Sequence, residues 1–353
     1  MGWVLVAGGK RGWTESEPVK PQLVREPCPL CGETPTLQLS TVPDPLGMSD
    51  GLFGLVRCAS CGLVSTQPRP DDASLSLYYQ DIYSGRGGDE MHDAQTNQGL
   101  WYVHEARWKV VEPHVALGPE DRVLDVGCGY GGWLAFIYGR TGAQLFGIDS
   151  DAGSIQRNLC RDHGTLRVSE LEEAAFPDGH FAMVSMIHSL EHMRDPVATL
   201  REIRRVLQPG GLALVEVPNF GAFLRPVFGR SWFPLLVPQH LQHFELASLG
   251  QALEQAGFER ALVLRAAWCP AELTMSLGPI LGRGLGMPTP RDADPSSLAA
   301  KLVTLILAVV FVLVDLPLSV ILKLLGRSGS LVAVARAPLA PSSESTPEPR
   351  SDR

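Results

Sequence analysis

The stretch that decides the fold is Arg122-Val-Leu-Asp-Val-Gly-Cys-Gly-Tyr-Gly-Gly132, or RVLDVGCGYGG in one-letter code. Its first residues are mostly β-branched or aliphatic, its glycines allow a tight turn, and the apolar-patterned WLAFIY that follows is typical of a helix. A strand, a glycine-rich turn and a helix in this order form the first unit of a Rossmann-like, doubly wound sheet. The sequence therefore predicts an α/β fold in which this turn contacts a nucleotide-containing cofactor.

The glycine turn alone leaves two kinds of cofactor open. Gly127, Gly129 and Gly132 satisfy GxGxxG, and Asp149 lies 22 residues beyond Gly127 at the end of AQLFGID. In dinucleotide-binding domains an acidic residue at about this position binds the ribose. An NAD-dependent oxidoreductase is therefore one hypothesis for this chain.

The segments that follow the turn favour a different nucleoside. They are a helix from Asp151, a short strand near Arg167, then FPDGHFAMVSMIHSLEHMRDP (176–196) and VLQPGGLALVEVPN (206–219). This order resembles the class I S-adenosylmethionine-dependent methyltransferases (methyltransferase types 11 and 23), closely from 110 to 218 and more loosely to 337. The resemblance implies a seven-stranded mixed sheet. It also implies methyl transfer to a small-molecule or lipid-linked acceptor of the quinone, glycan or natural-product precursor type.

The resemblance assigns the cofactor contacts to strand ends and the loops that follow them. The glycines let the backbone approach S-adenosylmethionine, the first aspartate lies near its cationic amino-acid end, the second accepts the ribose hydroxyls, and the last two residues border the adenine. These residues are Asp125, Gly127, Gly129, Gly131, Asp149, Glu170 and Leu171.

Candidate catalytic residues follow the predicted fourth strand. Methyl transfer requires alignment of the acceptor and, where the acceptor loses a proton, a base. His188, Glu191 and His192 lie there in IHSLEHM. This segment resembles the ExxEH stretch of quinone-pathway O-methyltransferases, where the acids and the histidine are associated with a metal, but His188 stands at the first acidic position. We expect His188 to act as a base or cofactor contact, whereas Glu191 and His192 either take part or brace the loop.

A second histidine pair lies further along the chain. His240 and His243 precede a predicted helix. In similar methyltransferases this segment overlies the acceptor pocket, although paired histidines before a helix can also be ordinary hydrogen-bonded side chains.

Four of the seven cysteines form two CxxC pairs, Cys28-Pro-Leu-Cys31 and Cys58-Ala-Ser-Cys61, each followed by glycine. Two such pairs predict a structural zinc site, because four thiolates fill the tetrahedral shell. A redox dithiol is the alternative. The pairs and the tyrosine-rich segment after them resemble the amino-terminal zinc module of certain sugar C-methyltransferases. By this resemblance, the tyrosines of this chain at 78, 79 and 83 would either cover the active site or pack in a helix; they are Tyr78, Tyr79 and Tyr83.

The charge and the first residues of the sequence limit the expected binding partners and the expected cellular location. A net charge of −8 argues against a protein that binds nucleic acid by phosphate neutralisation. The first residues, MGWVLVAGG, lack the basic region of a secretory signal. The sequence therefore predicts a cytoplasmic protein that does not bind nucleic acid.

The apolar stretch AAKLVTLILAVVFVLVDLPLSVILKLLG (299–326) precedes the expected last strand. One membrane crossing would separate the last two predicted strands, FERALVLRAA and SLVAVARAP, so a single span is incompatible with this sheet. At 100° per residue the polar side chains of this stretch fall within one arc of an amphipathic helix; they are Lys301, Thr304, Asp315, Ser319 and Lys323. We expect this helix to bend at Pro317. The apolar face at 302–325 is expected to contact the inner face of a membrane, a second copy in a homodimer, or its own core.

These observations divide the chain into four parts. They are an irregular segment (1–26), a zinc ribbon with a tyrosine-rich linker (27–85), a methyltransferase domain (86–337) with an apolar insertion (268–329), and a Pro- and Ser-rich tail (338–353) that is expected to be disordered. Besides the oxidoreductase, a non-catalytic, zinc-binding, membrane-associated scaffold is an alternative function.

Overall fold

A computed structural model describes residues 21–45, 51–75, 78, 101–259, 261–284 and 297–339. The strands of the described residues are β1 (Leu23–Val24), β2 (Leu37–Pro43), β3 (Leu52–Arg57), β4 (Val64–Gln67), β5 (Arg69–Pro70), β6 (Arg122–Val126), β7 (Gln144–Asp149), β8 (Gly164–Val168), β9 (Phe181–Ile187), β10 (Leu207–Pro218), β11 (Gln242–His243), β12 (Val263–Ala267) and β13 (Ser330–Arg336). The helices are α1 (Trp101–Val111), α2 (Gly132–Thr141), α3 (Ala152–Gln156), α4 (Pro196–Val206), α5 (Leu224–Phe228), α6 (Leu246–Gln255), α7 (Glu272–Gly284), α8 (Leu298–Val310) and α9 (Leu316–Leu324). Tyr79, Tyr83 and the tail from 340 lie outside the described residues.

The central sheet has seven strands in the order β12-β13-β10-β9-β6-β7-β8. Neighbours pair in parallel except at β13, which runs antiparallel to both β10 and β12. Strands covered on both faces read as continuous apolar runs, and β9 has six buried residues in succession. The predicted α/β fold with a seven-stranded mixed sheet is confirmed.

The strand order reverses direction beside β6. The chain runs from β6 outward through β7 and β8, then returns to the other side of β6 to form β9 and β10. A crevice forms outside the carboxyl ends of the strands at such a switch point, and ligands bind there. The glycine turn after β6 and the IHSLEHM segment after β9 therefore meet at one edge of the sheet.

Helices cover both faces of this sheet. On one face α1 and α2 contribute Trp108, Trp133 and Leu134 to a cluster that includes Val123 of β6 and Val332 of β13. On the other face side chains of α4 and α6 pack in a second cluster with β9 and β10. The site residues are thus carried by a core that is closed on both sides.

The four predicted metal ligands lie in one cluster. The Sγ atoms of Cys28 and Cys61 are 3.4 Å apart, as are those of Cys31 and Cys58, and all four Sγ atoms lie within 4.8 Å of one another. A tetrahedral zinc site with Zn–S bonds of about 2.3 Å requires S–S separations of about 3.8 Å. The cluster can therefore hold a zinc ion as the sequence predicted.

The four-cysteine module is joined to the part of the chain that forms the seven-stranded sheet by a shared second sheet. Strand β11 pairs with β4 in a four-stranded sheet of order β11-β4-β3-β2. The carboxylate of Glu245 accepts two hydrogen bonds from Arg57, the shorter of 2.7 Å. The sequence predicted a separate module at residues 27–85, whereas in the structure β11, which lies between β10 and β12 in the chain, completes its sheet.

The insertion between β12 and β13 contains α7, α8, a π-helical turn (Phe311–Asp315) and α9. Pro317 lies in the first turn of α9, and the π-helical turn precedes it, so the interruption expected at this proline is a local change of helix type. Among the described residues, one helix, Ala300–Leu324, is long and apolar enough to cross a membrane.

This helix is oriented opposite to an ordinary amphipathic surface helix. Its polar residues Asp315 and Ser319 are buried and have hydrogen-bond partners inside the protein. Asp315 accepts from the amide and the hydroxyl of Thr274, and Ser319 accepts from Trp268 Nε1 at 2.8 Å. Most of the helix's exposed side chains are apolar, with Leu305, Leu313 and Leu324 exposed by 63%, 70% and 80%, although Lys301 near its start is exposed as well. Two residues of the predicted polar arc, Asp315 and Ser319, therefore face the interior of the protein and not the solvent.

Replacing Cys31 by Ser tests the zinc cluster. Three thiolates bind zinc more weakly than four, and metal binding contributes directly to folding, so we expect Cys31→Ser to lose zinc on dialysis and to melt at a lower temperature. Metal content by mass spectrometry and thermal unfolding measure both effects. Cys269→Ser, outside the cluster, is the control, and full zinc content in Cys31→Ser would contradict the assignment.

Candidate active site

The glycine turn after β6 is held against the end of β7. The amides of Gly127 and Cys128 both donate to the carbonyl oxygen of Ile148, at 2.9 and 3.0 Å. Gly127 has a φ of 75°, and a Cβ atom there would lie 2.2 Å from Ser189 Oγ. Both the backbone angle and the contact therefore require glycine at this position.

Gly131, at the start of α2, is required for the same two reasons, but its close neighbour is a different residue, Asn158. Its φ is 79°, and a Cβ atom would lie 2.2 Å from Asn158 Oδ1. Asn158 Nδ2 donates to the carbonyl oxygen of Gly129 at 2.8 Å, and Asn158 Oδ1 accepts from the amide of Cys160 at 2.9 Å. Asn158 thus braces the turn, a role that no motif in the sequence indicated.

Asp149 stands at the end of β7 beside the glycine turn. Its Oδ2 accepts from the amide of Gly129 and its Oδ1 from the amide of Asp151, both at 2.9 Å. Burial raises the pKa of Asp149 above its ordinary value. Since a carboxylate has about four acceptor positions, this half-buried side chain retains capacity for the hydroxyls of a ribose.

Asp125 lies one layer deeper, on β6, and is 3% exposed. Its Oδ1 accepts a 2.6 Å hydrogen bond from Ser185 on β9. Burial raises the pKa of Asp125 to about 7. A cation placed beside this acid would favour its charged form, which suits the role near a cationic amino-acid end that the sequence predicted.

Glu170 and Leu171 follow β8 at the same edge of the sheet. Leu171 is buried, and the carboxyl group of Glu170 has a pKa raised by partial desolvation and by neighbouring acids that include Asp149. Their contact with adenine stays a prediction.

The residues present fit S-adenosylmethionine. The turn has left-handed glycines at 127, 129 and 131, two of which have no room for a Cβ atom, and the carboxylates of Asp125 and Asp149 lie beside it, available for a cationic group and for ribose hydroxyls. When bound, this cofactor supplies an electrophilic methyl group on a sulfonium. The cofactor residues predicted from the sequence thus lie together at one edge of the sheet, although Gly131 serves packing against Asn158.

His188 projects from the end of β9 between two carboxylates. Its Nδ1 lies 3.5 Å from Glu191 Oε1, and its Nε2 lies 3.3 Å from Glu216 Oε1. Desolvation opposes its charge, but the two carboxylates prevail and raise the pKa of His188 to about 9. Its side chain is 44% exposed and its φ is +52°, an unfavourable conformation for a non-glycine residue that is common at functional sites.

The carboxylate of Glu216 is part of a buried network that sequence reasoning missed. Arg107 of α1 donates to its two oxygens, from Nε at 2.8 Å and from a terminal nitrogen at 3.1 Å, and also donates to His104 Nδ1 at 2.9 Å. Burial favours the neutral acid, but Arg107 and His188 hold the pKa of Glu216 well below its usual value. Burial and Arg107 lower the pKa of His104 to about 3, so this imidazole is neutral.

Glu191, His192 and His240 form a second group that could hold a metal ion. Their ligand atoms lie within 4.8 Å of one another, and neither carboxylate oxygen of Glu191 has a hydrogen-bond partner among the described residues. The Nδ1 atoms of His192 and His240 lie 3.0 and 2.9 Å from the backbone carbonyl oxygens of Gln239 and Pro234, and the Nε2 atom of His240 lies 3.8 Å from Glu191 Oε1. His243 lies apart from this group, with its Nε2 3.0 Å from Thr66 Oγ1.

This fold and site define a class I α/β methyltransferase, and the comparisons agree. The family described as "Methyltransferase domain" matches residues 103–262. Ubiquinone biosynthesis O-methyltransferase from Aromatoleum aromaticum is 31% identical over 44% of this chain and 72% of its own length. The protein of the same name from Xanthomonas campestris pv. campestris is 33% identical over 41% of this chain and 64% of its own. The chain therefore belongs to the S-adenosylmethionine-dependent methyltransferases.

A solved structure supports the fold. Phosphoethanolamine N-methyltransferase 2 from Haemonchus contortus, in complex with S-adenosyl-L-methionine, aligns with a TM-score of 0.52 at 16% identity, over 78% of this chain and 63% of that one. The chain spans about two thirds or less of the length of the first curated relatives that it matches.

Replacing Asp149 by Asn tests the cofactor site. Hydrogen bonds to a charged group contribute about 1.5 to 3 kcal/mol each, so we expect Asp149→Asn to bind S-adenosylhomocysteine at least about ten-fold more weakly. Isothermal titration measures the affinity, and thermal unfolding verifies that the variant is folded. Asp162→Asn, at an exposed acid, is the control; unchanged affinity in Asp149→Asn would exclude the ribose contact.

Proposed function

We propose that this protein methylates a hydroxyl group of a small acceptor with an apolar tail, at the cytoplasmic face of a membrane. The observation that carries the proposal is His188, held between Glu191 and Glu216 beside the glycine turn. The names of the curated relatives, O-methyltransferases of ubiquinone biosynthesis, support an oxygen acceptor on a quinone-type precursor. The oxidoreductase and scaffold alternatives gain no such support.

The chain's own residues divide the work. Asp149 and the glycine turn orient the cofactor, and the acceptor hydroxyl faces His188. The imidazole accepts the hydroxyl proton as the new oxygen–carbon bond forms, and Glu191 and Glu216 stabilise the resulting imidazolium. Alignment of the two reactants supplies most of the rate enhancement, because methyl transfer is an in-line displacement.

The charge of His188 makes the proposed reaction pH-dependent. Because its pKa lies near 9, the imidazolium predominates at neutral pH, and turnover should rise with pH, about ten-fold per unit, up to about pH 9. Glu191→Gln removes a charge that favours the imidazolium and should move this rise to lower pH. His188→Gln should abolish the rise and lower kcat about 100-fold or more. Transfer of a labelled methyl group to lipid extracts or prenylated phenols measures these profiles.

A control separates loss of catalysis from loss of binding. S-adenosylhomocysteine should bind His188→Gln as tightly as the unsubstituted protein. Full turnover in His188→Gln, or a pH profile that Glu191→Gln leaves unchanged, would remove His188 as the base.

The membrane contact is proposed from the insertion. The helix Ala300–Leu324 is about 37 Å long, enough for a hydrocarbon core of about 30 Å. However, the strands on either side of the insertion pair with each other, Ala267 with Ser330, so both ends stay on one side of a bilayer. A helix whose polar residues face the protein and whose leucines face outward fits a position in the plane of the interface.

Three leucines on the outward face test this contact. We expect Leu305→Ser, Leu313→Ser and Leu324→Ser together to abolish flotation of the full chain with liposomes, because they remove apolar area from the interface. The control combines Leu37→Ser, Leu39→Ser and Leu52→Ser, exposed leucines of the zinc module. Flotation of the triple variant would contradict the membrane contact. If the unsubstituted protein does not float but forms a dimer that the same substitutions dissociate, the face belongs to a contact with a second copy.

A further inference from the structure

A cleft opens beside the catalytic residues, on the face of the sheet that α1 covers. It is lined by α1, by β10, β12 and β13, by the residue after β12, Trp268, and by the last turn of α9. Its polar lining consists chiefly of Arg107, Glu216, Arg265 and Lys323. The ring of Tyr102 packs on that of Trp268 with a centroid separation of 5.3 Å, so aromatic side chains border the cleft.

Strand register fixes the position of Arg265 in this cleft. Val332 of β13 pairs with Glu216 of β10 on one side and with Arg265 of β12 on the other. Side chains of directly paired residues project from the same face of a sheet. Arg265 and Glu216 therefore stand in one row, separated by a single strand.

The cleft has an excess of positive charge. Arg107 and Glu216 neutralise each other through two hydrogen bonds, and His104, which contacts Arg107, is neutral. Among the described residues no carboxylate forms an ion pair with Arg265 or Lys323. Two cationic side chains thus converge on a cleft whose acidic group is already compensated.

The position of the cleft relates this charge to the reaction. Glu216, in its wall, lies 3.3 Å from the imidazole of His188. Lys323, which also lines the cleft, belongs to α9, and the same helix carries the exposed Leu324. The cleft therefore lies between the catalytic histidine and the apolar face of the insertion.

We propose that this cleft binds an oxyanion of the acceptor, a carboxylate or phosphate, through Arg265 and Lys323. The guanidinium of Arg265 can donate two parallel hydrogen bonds to either group, and Lys323 adds a point charge. An acceptor held this way places its anion in the cleft, its reacting group at His188 and its apolar part along α9. Arg265 and Lys323 are thus binding residues that select acidic acceptors.

Equilibrium dialysis of the full chain with labelled pyrophosphate, phosphate and acetate, at constant ionic strength, tests the inference. We expect at least one of these anions to bind, and Arg265→Gln combined with Lys323→Gln to weaken it ten-fold or more. Lys301→Gln, a lysine of the same apolar segment that does not line the cleft, is the matched control and should bind as before. No binding of any of the three anions, or equal binding by the double variant, overturns the proposal.

A second measurement distinguishes the acceptor from a membrane lipid. Vesicles of phosphatidylcholine with and without phosphatidic acid are offered to the same variants. If the double substitution weakens binding only to the vesicles that contain phosphatidic acid, and none of the soluble anions binds, the site belongs to a lipid headgroup and the assignment to the acceptor is wrong.

The inference rests on the proposed function only in assigning the anion to the acceptor, and the two can fail separately. Titration of S-adenosylhomocysteine into the same samples reports on the cofactor site. Binding of S-adenosylhomocysteine without any anion refutes the cleft alone, whereas binding of the anion without S-adenosylhomocysteine refutes the methyltransferase function.

Discussion

The ion pair between Arg107 and Glu216 is the interaction on which the arrangement of the site depends. Both side chains are buried, and removing one partner of such a pair typically costs about 3 to 5 kcal/mol because the other charge remains unpaired. The pair fixes α1 on the end of β10, keeps Glu216 ionised, and thereby raises the pKa of His188. The protonation of the candidate base is thus set by a helix that precedes the glycine motif in the chain.

The orientation of the helix in the insertion depends on the same requirement, that buried polar groups have hydrogen-bond partners. Asp315 and Ser319 find donors on Thr274 and Trp268. With these groups satisfied inside, the helix has only apolar side chains to present over most of its outer face. Burying this face would contribute about 25 cal/mol per Å² of apolar area, which supports the proposed contact with a membrane. Pairing of β12 with β13 then decides the geometry, because it excludes a single crossing.

The sequence was most informative where structure is local. The glycine turn, Asp149 at a strand end and the paired CxxC motifs depend on short spacings, and each was predicted correctly in position. Arg107 and Glu216 are 109 residues apart, and no pattern links them. Periodicity also placed Asp315 and Ser319 on one side of a helix, but it could not tell whether that side faces water or protein, since this depends on Thr274 and Trp268.

Charge is divided across the site in a way that suits two different reactants. Asp125, Asp149 and Glu191 make the side near the glycine turn acidic, which favours a cationic cofactor. Arg265 and Lys323 make the far side basic, and Glu216, which lines the same cleft, is compensated by Arg107. For the cationic cofactor and the anionic acceptor that we propose, each reactant would meet opposite charge on its own side, which disfavours misplaced binding. His188 lies at the boundary, where, in the proposed reaction, a proton leaves the acceptor as the methyl group arrives from the cofactor.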